Sequence, residues 1–318
     1  MTDDLTQVLR AVLLPAFGVL RIGGADAVTF LQGQLTNDVR LLADGRTLVA
    51  ACCTNQGRVI ALVRLRQTDE AIYALLPADL LGKVATHLRK FVLRSKVEIL
   101  QAADLNVGAI LTGDAAAAAQ AHRVFDEAAL TMSPVPLAGT TEVVTFQYAP
   151  GREVIAAPPV AWRSISGLSL GRPSPLAQAE WLAADIAAGL PHVFASTSEQ
   201  FIPQMLNVDL IDGVSYTKGC YAGQEIVART HHLGRVKRRT LRFHLPAGGA
   251  APAPLSHLLL EGVKAADVLM TAETDDGIEL LAVTNLDAAG RSLATEDGRL
   301  AEPRPLPYSL SQGLGDGG

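Results

Sequence analysis

The chain has 318 residues, 49% of them hydrophobic and 19% charged, and its 27 basic and 32 acidic side chains give a net charge of −5. Its length exceeds the ~100–200 residues of one domain, which points to two or three, and the apolar content excludes disorder as the main state. No apolar run reaches the roughly 18 residues of a membrane-spanning helix, and the acidic balance leaves no whole-chain basic footprint for nucleic acid. The apolar stretch 11–20 has the outline of a signal core, but Asp3 and Asp4 stand where a positive flank is required, and Pro15 and Gly18 interrupt it. Three cysteines, Cys52, Cys53 and Cys220, are an odd count with two adjacent. That is no disulfide framework, and it suits a reducing cytosol, so a cytoplasmic protein is expected.

In chain order, 17–22 reads as a strand, followed by Gly23-Gly24 and a helix over 26–39 with Ala27, Phe30, Leu31 and Leu35 on one face. Strands near 48–53 and 59–65 flank the turn Thr54-Asn55-Gln56-Gly57. A strand at 71–76 leads through Pro77 into a helix over 79–93, and 96–100 closes this block as a strand. The middle continues with a strand at 106–111 and an alanine-rich helix over 113–129. A hairpin follows from 143–147 and 153–157, then a helix over 175–189 stopped by Gly189 and Pro191. Periodicity fades from His192 to Gly223, and weakly patterned segments of that length are often functional. A basic run at 235–239 and a Pro/Ala/Gly-rich linker at 246–254 precede short strands near 266–272, 278–285 and 291–295, a small all-β unit. This mixture suggests α+β layers rather than alternating βαβ units.

The densest chemistry lies in Lys218-Gly219-Cys220-Tyr221-Ala222-Gly223-Gln224-Glu225. Two glycines bracket the thiol, so the backbone there is free to approach a ligand closely or to take positive φ. A helix starts near Gly223 and runs through Arg229. A cysteine just before a helix N-terminus and two residues from a lysine has two reasons for a lowered pKa. The bland alternative is a tight turn around an inert thiol. Upstream, Glu199, Gln200, Gln204 and Asn207 bring amides and a carboxylate beside Phe201, Ile202 and Met205, a mixture suited to the faces and edges of a flat heterocycle. A loop satisfying its own backbone is the competing account.

Arg229, Arg235, Lys237, Arg238, Arg239 and Arg242 form a basic cluster that would receive an anionic tail or RNA phosphates, unless it is a solvated face. Gly167-Leu168-Ser169-Leu170-Gly171 matches a nucleophile elbow, with His192, His231, His232 and His257 as triad partners, but Pro173 and Pro175 delay the helix that must follow the serine. This leaves a serine hydrolase as a remote alternative. Adjacent His231 and His232 would face apart, and there is no C-x-x-C, H-E-x-x-H, G-x-x-x-x-G-K or G-x-G-x-x-G. No metal ligands are therefore assigned. Three cysteines cannot build a four-thiolate iron–sulfur site, so no stably bound cluster is expected.

The segment Lys218–Glu225 resembles the YgfZ family, folate-binding proteins of iron–sulfur cluster assembly and repair that are related to the aminomethyltransferase (T-protein) of the glycine cleavage system. The likeness runs over nearly the whole chain. Gly24-Ala25-Asp26 with Phe30–Val39 is similar to the family's N-terminal signature, Gln200–Gln204 with Asn207 and Gly213-Val214-Ser215 to its central one, and Leu306–Leu310 to its ending. The resemblance implies a T-protein-like ring of α+β (ferredoxin-like) modules with a C-terminal antiparallel β-barrel. Interwoven folate-binding modules would occupy 1–235, with an internal boundary near 102, and the barrel 236–318. It also implies tetrahydrofolate or a one-carbon derivative as cofactor, with Phe17 and Trp181 at aromatic folate-contact positions. Glu199, Gln204, Asn207, Tyr221, Gln224, Glu225 and Arg229 complete the expected cofactor set, and Cys220 and Lys218 the catalytic one. Lys218 would serve either the thiol or, as a point charge, a folate carboxylate. Iron–sulfur client or assembly proteins are the implied partners; folate-dependent tRNA modification, with tRNA docked through Arg235, Lys237, Arg238 and Arg239, is the alternative.

Two departures bear on chemistry. Where the T-protein carries an acid pair after its Gly-rich turn, this chain has Ala61 and Leu62, neither able to exchange a proton. Aminomethyl transfer is therefore not expected. Where T-protein-like relatives have Arg-x-Glu before Ala-Gly, this chain reads Asp185-Ile186-Ala187-Ala188-Gly189, which leaves Glu199 or Glu225 to replace the missing carboxylate.

Overall fold

A computed structural model of the chain describes residues 9–112, 143–149, 152–164, 175–232 and 236–310. The helix expected over 113–129, the Gly167–Gly171 motif and Arg235 lie outside the described residues. Two compact units are present. The first takes the described residues up to Phe30, Arg40–Leu48, and those described within Arg64–Gln178. The second takes Leu31–Val39, Val49–Val63 and the described residues from Ala179 onward.

The elements are β1 (Leu9–Leu13), β2 (Phe17–Gly23), α1 (Ala27–Gln32), β3 (Leu48–Cys53), β4 (Val59–Gln67), β5 (Ile72–Pro77), α2 (Leu81–Arg89) and β6 (Glu98–Gln101). They continue with β7 (Asn106–Thr112), β8 (Val144–Ala149), β9 (Arg152–Ala157), α3 (Pro159–Ser164), α4 (Pro175–Ala187) and α5 (Gln224–His232). The last are β10 (Arg238–Pro246), β11 (His257–Leu260), β12 (Val263–Thr274), β13 (Gly277–Asn285), β14 (Leu293–Ala294) and β15 (Leu300–Arg304).

One sheet has the order β3-β4-β5-β2-β6 and another β1-β7-β9-β8. Both faces of β5 are buried, so its sequence Ile-Tyr-Ala-Leu-Leu-Pro runs apolar without alternation. Phe17 pairs with Pro77 and Ile22 with Ile72 across the antiparallel β2–β5 ladder. In the second sheet β9 joins β7 and β8, and the Trp162 indole N–H donates to the carbonyls of Asn106 and Ala157 at 3.1 Å each.

The C-terminal strands close an antiparallel barrel in the order β10-β13-β12-β11-β14-β15. Its core is filled from alternate positions, among them Leu241, Phe243 and Leu245 of β10, Leu280 and Ala282 of β13, and Leu258 of β11. Mixed helices and sheets with a closed barrel give the α+β class expected from the sequence. Two expectations fail in instructive ways. β10 is a nine-residue strand where sequence reading saw only a basic run, because arginines and a histidine hold its outward positions and hide the alternation. The helix expected over 26–39 stops at Gln32, because the Thr36 backbone N–H is donated to Ala51 O and Leu35 bridges Cys52, so the chain turns to pair with β3.

Candidate functional site

The segment between α4 and α5 has little regular structure, yet within the second unit it is fixed bond by bond. Glu199 donates its backbone N–H to Val59 O at 2.7 Å, Val59 returns one to Phe201 O at 2.8 Å, and the Ser198 hydroxyl donates to Ile60 O. Pro203 opens a short 3-10 turn to Leu206, closed by Asn207 in the left-handed region at φ 57°. Asn207 there spends its side chain on structure: Nδ2 donates to Thr240 O at 2.8 Å and to the Tyr308 hydroxyl at 3.3 Å. Beside it the Arg239 guanidinium grips Asp209 with two bonds of 2.8 and 2.9 Å and donates to Gln204 O. Gln204 is fully buried; its Nε2 donates to Val227 O at 2.7 Å, while its Oε1 has no partner among the described residues.

The following loop carries the thiol. Thr36 Oγ1 donates to Gly213 O at 2.6 Å, Asn37 Nδ2 to Asp212 O at 2.6 Å, and the Ser215 backbone N–H to Thr36 O. Lys218 is buried, and its ammonium donates to Leu35 O at 2.7 Å and Asn37 O at 2.6 Å. Ala222 N–H reaches Gly33 O, and Gln224 Oε1 accepts the Tyr221 N–H at the start of α5. Two glycines in left-handed conformation, Gly57 at φ 69° and Gly223 at φ 80°, lie so close that a Cβ on Gly223 would stand 2.5 Å from Thr54 O and 2.9 Å from Gly57 Cα. Both ends of the loop are thus pinned, and Cys220 between them is exposed.

Cys52 and Cys53 on β3 are buried, and burial pushes the Cys52 thiol up to about 12 and the Cys53 thiol well above its ordinary value. The thiolate is the reacting species. Titration of the native protein with a disulfide reagent at pH 8 is therefore expected to release one thiol equivalent rapidly and two more only on denaturation. Cys220→Ser should remove the rapid phase alone, and two rapid equivalents in the native protein would contradict this burial.

Within the second unit Gln204 and Asn207 belong to the turn tied to Arg239 and Thr240, whereas Lys218, Cys220 and Tyr221 belong to the loop that leads into α5. Tyr221 is buried beneath the loop, with the Lys218 Nζ 5.2 Å from its ring centroid. Burial, followed by the charge of Cys53, pushes its phenol well above the ordinary value. Glu225 and Arg229 are exposed and pair with each other at 2.8 Å, and Glu199 is exposed with a positive φ. Trp181 is fully buried in α4, and Phe17 is buried in the first unit. Ala61 and Leu62, which stand where the T-protein has acids, are both buried in β4.

Three features escaped sequence reading. Tyr216 stacks on His231 with centroids 3.7 Å apart, and its hydroxyl meets Gln204 Nε2 at 3.3 Å. His192 Nε2 pairs with the buried Asp185 at 2.7 Å. Arg239 is 1% exposed, so it cannot meet a phosphate, which corrects its place in the expected tRNA-docking cluster. Arg238 pairs with Asp267 at 2.6 Å; burial acts against that carboxylate, but hydrogen bonds from Lys264 and Arg238 hold it below its ordinary value. Of that cluster Lys237 alone is both described and exposed, with no ion pair among the described residues. Among the described residues no group of three or more His, Cys, Asp or Glu side chains is placed to hold a metal ion, and no helix is long and apolar enough to cross a membrane.

No family model matches the chain. It is 32% identical over 316 residues to the tRNA-modifying protein YgfZ of Yersinia pseudotuberculosis serotype IB (strain PB1/+), which covers 96% of this chain and 94% of that one. It is 31% identical over 303 residues to the protein of the same name from Colwellia psychrerythraea, covering 93% and 92%. Among solved structures it is similar to the glycine cleavage system aminomethyltransferase T from Bartonella henselae, with a TM-score of 0.72, 14% identity, and 96% of this chain and 89% of that one covered. At that identity the likeness speaks for the fold.

Proposed function

The chain belongs to the YgfZ family, and from that premise we propose that it is a tetrahydrofolate-binding accessory protein that supports iron–sulfur enzymes, with tRNA modification as the activity it sustains. The observation that carries the reading is the exposure of Cys220 on a loop pinned from both sides, while the other two cysteines are buried. An exposed cysteine on a flexible loop would be adventitious; one held by Lys218, Ala222 and Gly223 is presented. Lys218 acts here as a positioning residue, fixing the loop through its two carbonyl contacts. The thiolate of Cys220 would attack one sulfur of a partner's disulfide, forming a mixed disulfide while the second sulfur leaves as thiolate.

For folate, Gln204 offers a buried acceptor with no partner among the described residues, an arrangement that costs about 1–3 kcal/mol unless something bonds it. The amino edge of a pterin is a donor of that kind. Tyr221 in the loop before α5 would supply an apolar face. Folate, when bound, supplies the one-carbon unit; the residues of the chain bind and orient it. With Ala61 and Leu62 in place of acids, aminomethyl transfer is not part of the reading.

The test is a titration with reduced folates, following the fluorescence of Trp162 and Trp181. Saturable quenching is expected, and Cys220→Ser should retain the affinity yet fail to restore iron–sulfur enzyme activity in a deletion strain. Absence of quenching removes folate from the reading, and full complementation by Cys220→Ser removes the thiol.

A further inference from the structure

A second basic stretch of this acidic chain lies where sequence reading did not single it out. Between Asp79 and Glu98 stand Lys83, Arg89, Lys90, Arg94 and Lys96, with no carboxylate among them, in a chain of net charge −5. α2 explains how they are displayed. Val84, Ala85 and Leu88 are buried on one face, and Lys83, Thr86, Arg89 and Lys90 are exposed on the other, three or four residues apart. Successive turn bonds, from Phe91 N–H to Leu88 O and from Ser95 N–H to Val92 O, then fold the chain back so that Arg94 and Lys96 emerge beside the helix end. Arg89 ties that end to β6 by donating to Ile99 O. Asp26 does approach, but its carboxylate accepts the backbone N–H of Lys96 at 2.7 Å. Among the described residues no ion pair joins Arg89, Lys90, Arg94 or Lys96 to a carboxylate.

A second observation falls at the same spot. Leu93, between Lys90 and Arg94, is 90% exposed and sits in the left-handed region at φ 39°. A leucine is disfavoured in that backbone region, and such backbone outliers cluster at functional sites.

We propose that this ridge of the first unit docks the phosphate backbone of RNA, with Leu93 packing against a ribose or base between the phosphate contacts. The inference rests on tRNA as the partner in the reading above and moves the docking surface away from the barrel arginines, which are engaged within the protein. α2 is nine residues long. At ~1.5 Å each it spans about 14 Å, the rise of roughly four nucleotides at ~3.4 Å per strand. A membrane needs an apolar face to insert, and the apolar face of α2 is already buried in the protein, with Leu93 the exposed leucine of the turn that follows it.

The experiment measures binding of bulk tRNA to the full chain between 50 and 300 mM KCl, with reduced-folate quenching as a control of fold. Lys90→Glu with Arg94→Glu should weaken binding at least ~10-fold and reduce the slope of log affinity against log salt by about 2, since each phosphate contact contributes ~0.9. Leu93→Ala should weaken binding severalfold with the slope unchanged, and Lys237→Glu should change it less than about twofold. Native affinity and slope in the double variant, or a loss that follows Lys237→Glu instead, would overturn the inference. A native chain that ignores tRNA at 50 mM KCl but floats with vesicles containing 30% anionic lipid would overturn it in favour of a membrane. That last result would also remove tRNA as a direct partner while leaving folate binding to stand on its own titration.

Discussion

Arg239→Ala is expected to lower the unfolding free energy by about 3–5 kcal/mol, the loss typical of breaking a buried ion pair from one side. Arg239 is on β10, and its guanidinium bonds Asp209 through both terminal nitrogens while also donating to Gln204 O at 3.0 Å and Asn207 Oδ1 at 3.4 Å. Removing it leaves a carboxylate buried without its counter-charge and frees the carbonyl that closes the 3-10 turn before Asn207. Arg239→Lys should recover little, because an ammonium cannot match the fork of two parallel bonds. Replacing both partners, Arg239→Met with Asp209→Leu, should cost clearly less than Arg239→Ala, since no uncompensated charge then remains. Urea unfolding followed by far-ultraviolet circular dichroism measures all three. A loss below about 1 kcal/mol for Arg239→Ala, the range of exposed pairs, would mean that water reaches the pair and that the central segment is not anchored to the barrel strand as described.

That arginine also shows where sequence reading stops. In the run Arg238-Arg239 the two residues look equivalent, and the cluster reads as a surface for anions. Strand alternation separates them: the second points inward to Asp209, a partner 30 residues upstream that no local pattern reveals. Lys218 is a similar case. Its place two residues before a cysteine suggested thiol activation or a grip on folate, yet its ammonium reaches Leu35 and Asn37, 183 and 181 residues away. The helix expected over 26–39 is shorter than its apolar spacing implied because Thr36 donates its backbone N–H to Ala51 on β3 instead of along the helix. What was legible were the strands near 48–53, 59–65 and 106–111, where apolar runs end at turn residues, and the motif around Cys220, whose residue types are concentrated in one octapeptide. The ridge on α2 was visible as five cations without an acid, but its meaning depended on knowing which face of the helix is buried.

The two glycines flanking Cys220 allow a sharper test. In sequence Gly219 and Gly223 are alike, each placed to let the backbone turn or approach a ligand. In the structure a Cβ on Gly219 meets nothing within 4 Å, whereas one on Gly223 would lie 2.5 Å from Thr54 O, 2.9 Å from Gly57 Cα and 3.1 Å from Gly57 N. Those neighbours are backbone atoms of a tight turn and cannot rotate aside as a side chain would. Gly223 is also at φ 80°, where a Cβ alone costs roughly 1–2 kcal/mol. Gly223→Ala is therefore expected to destabilise the protein by about 2–4 kcal/mol in all, and Gly219→Ala by less than about 0.5 kcal/mol, as for an unconstrained surface site. The functional consequence follows from the same geometry. Displacing the start of α5 from the turn at Gly57 releases one of the two pins that hold the thiol, so Gly223→Ala should impair support of iron–sulfur enzymes even at a temperature where it is folded, while Gly219→Ala should complement fully. If both variants were equally stable and equally active, the loop would not need its second anchor, and Cys220 would be an exposed cysteine rather than a presented one.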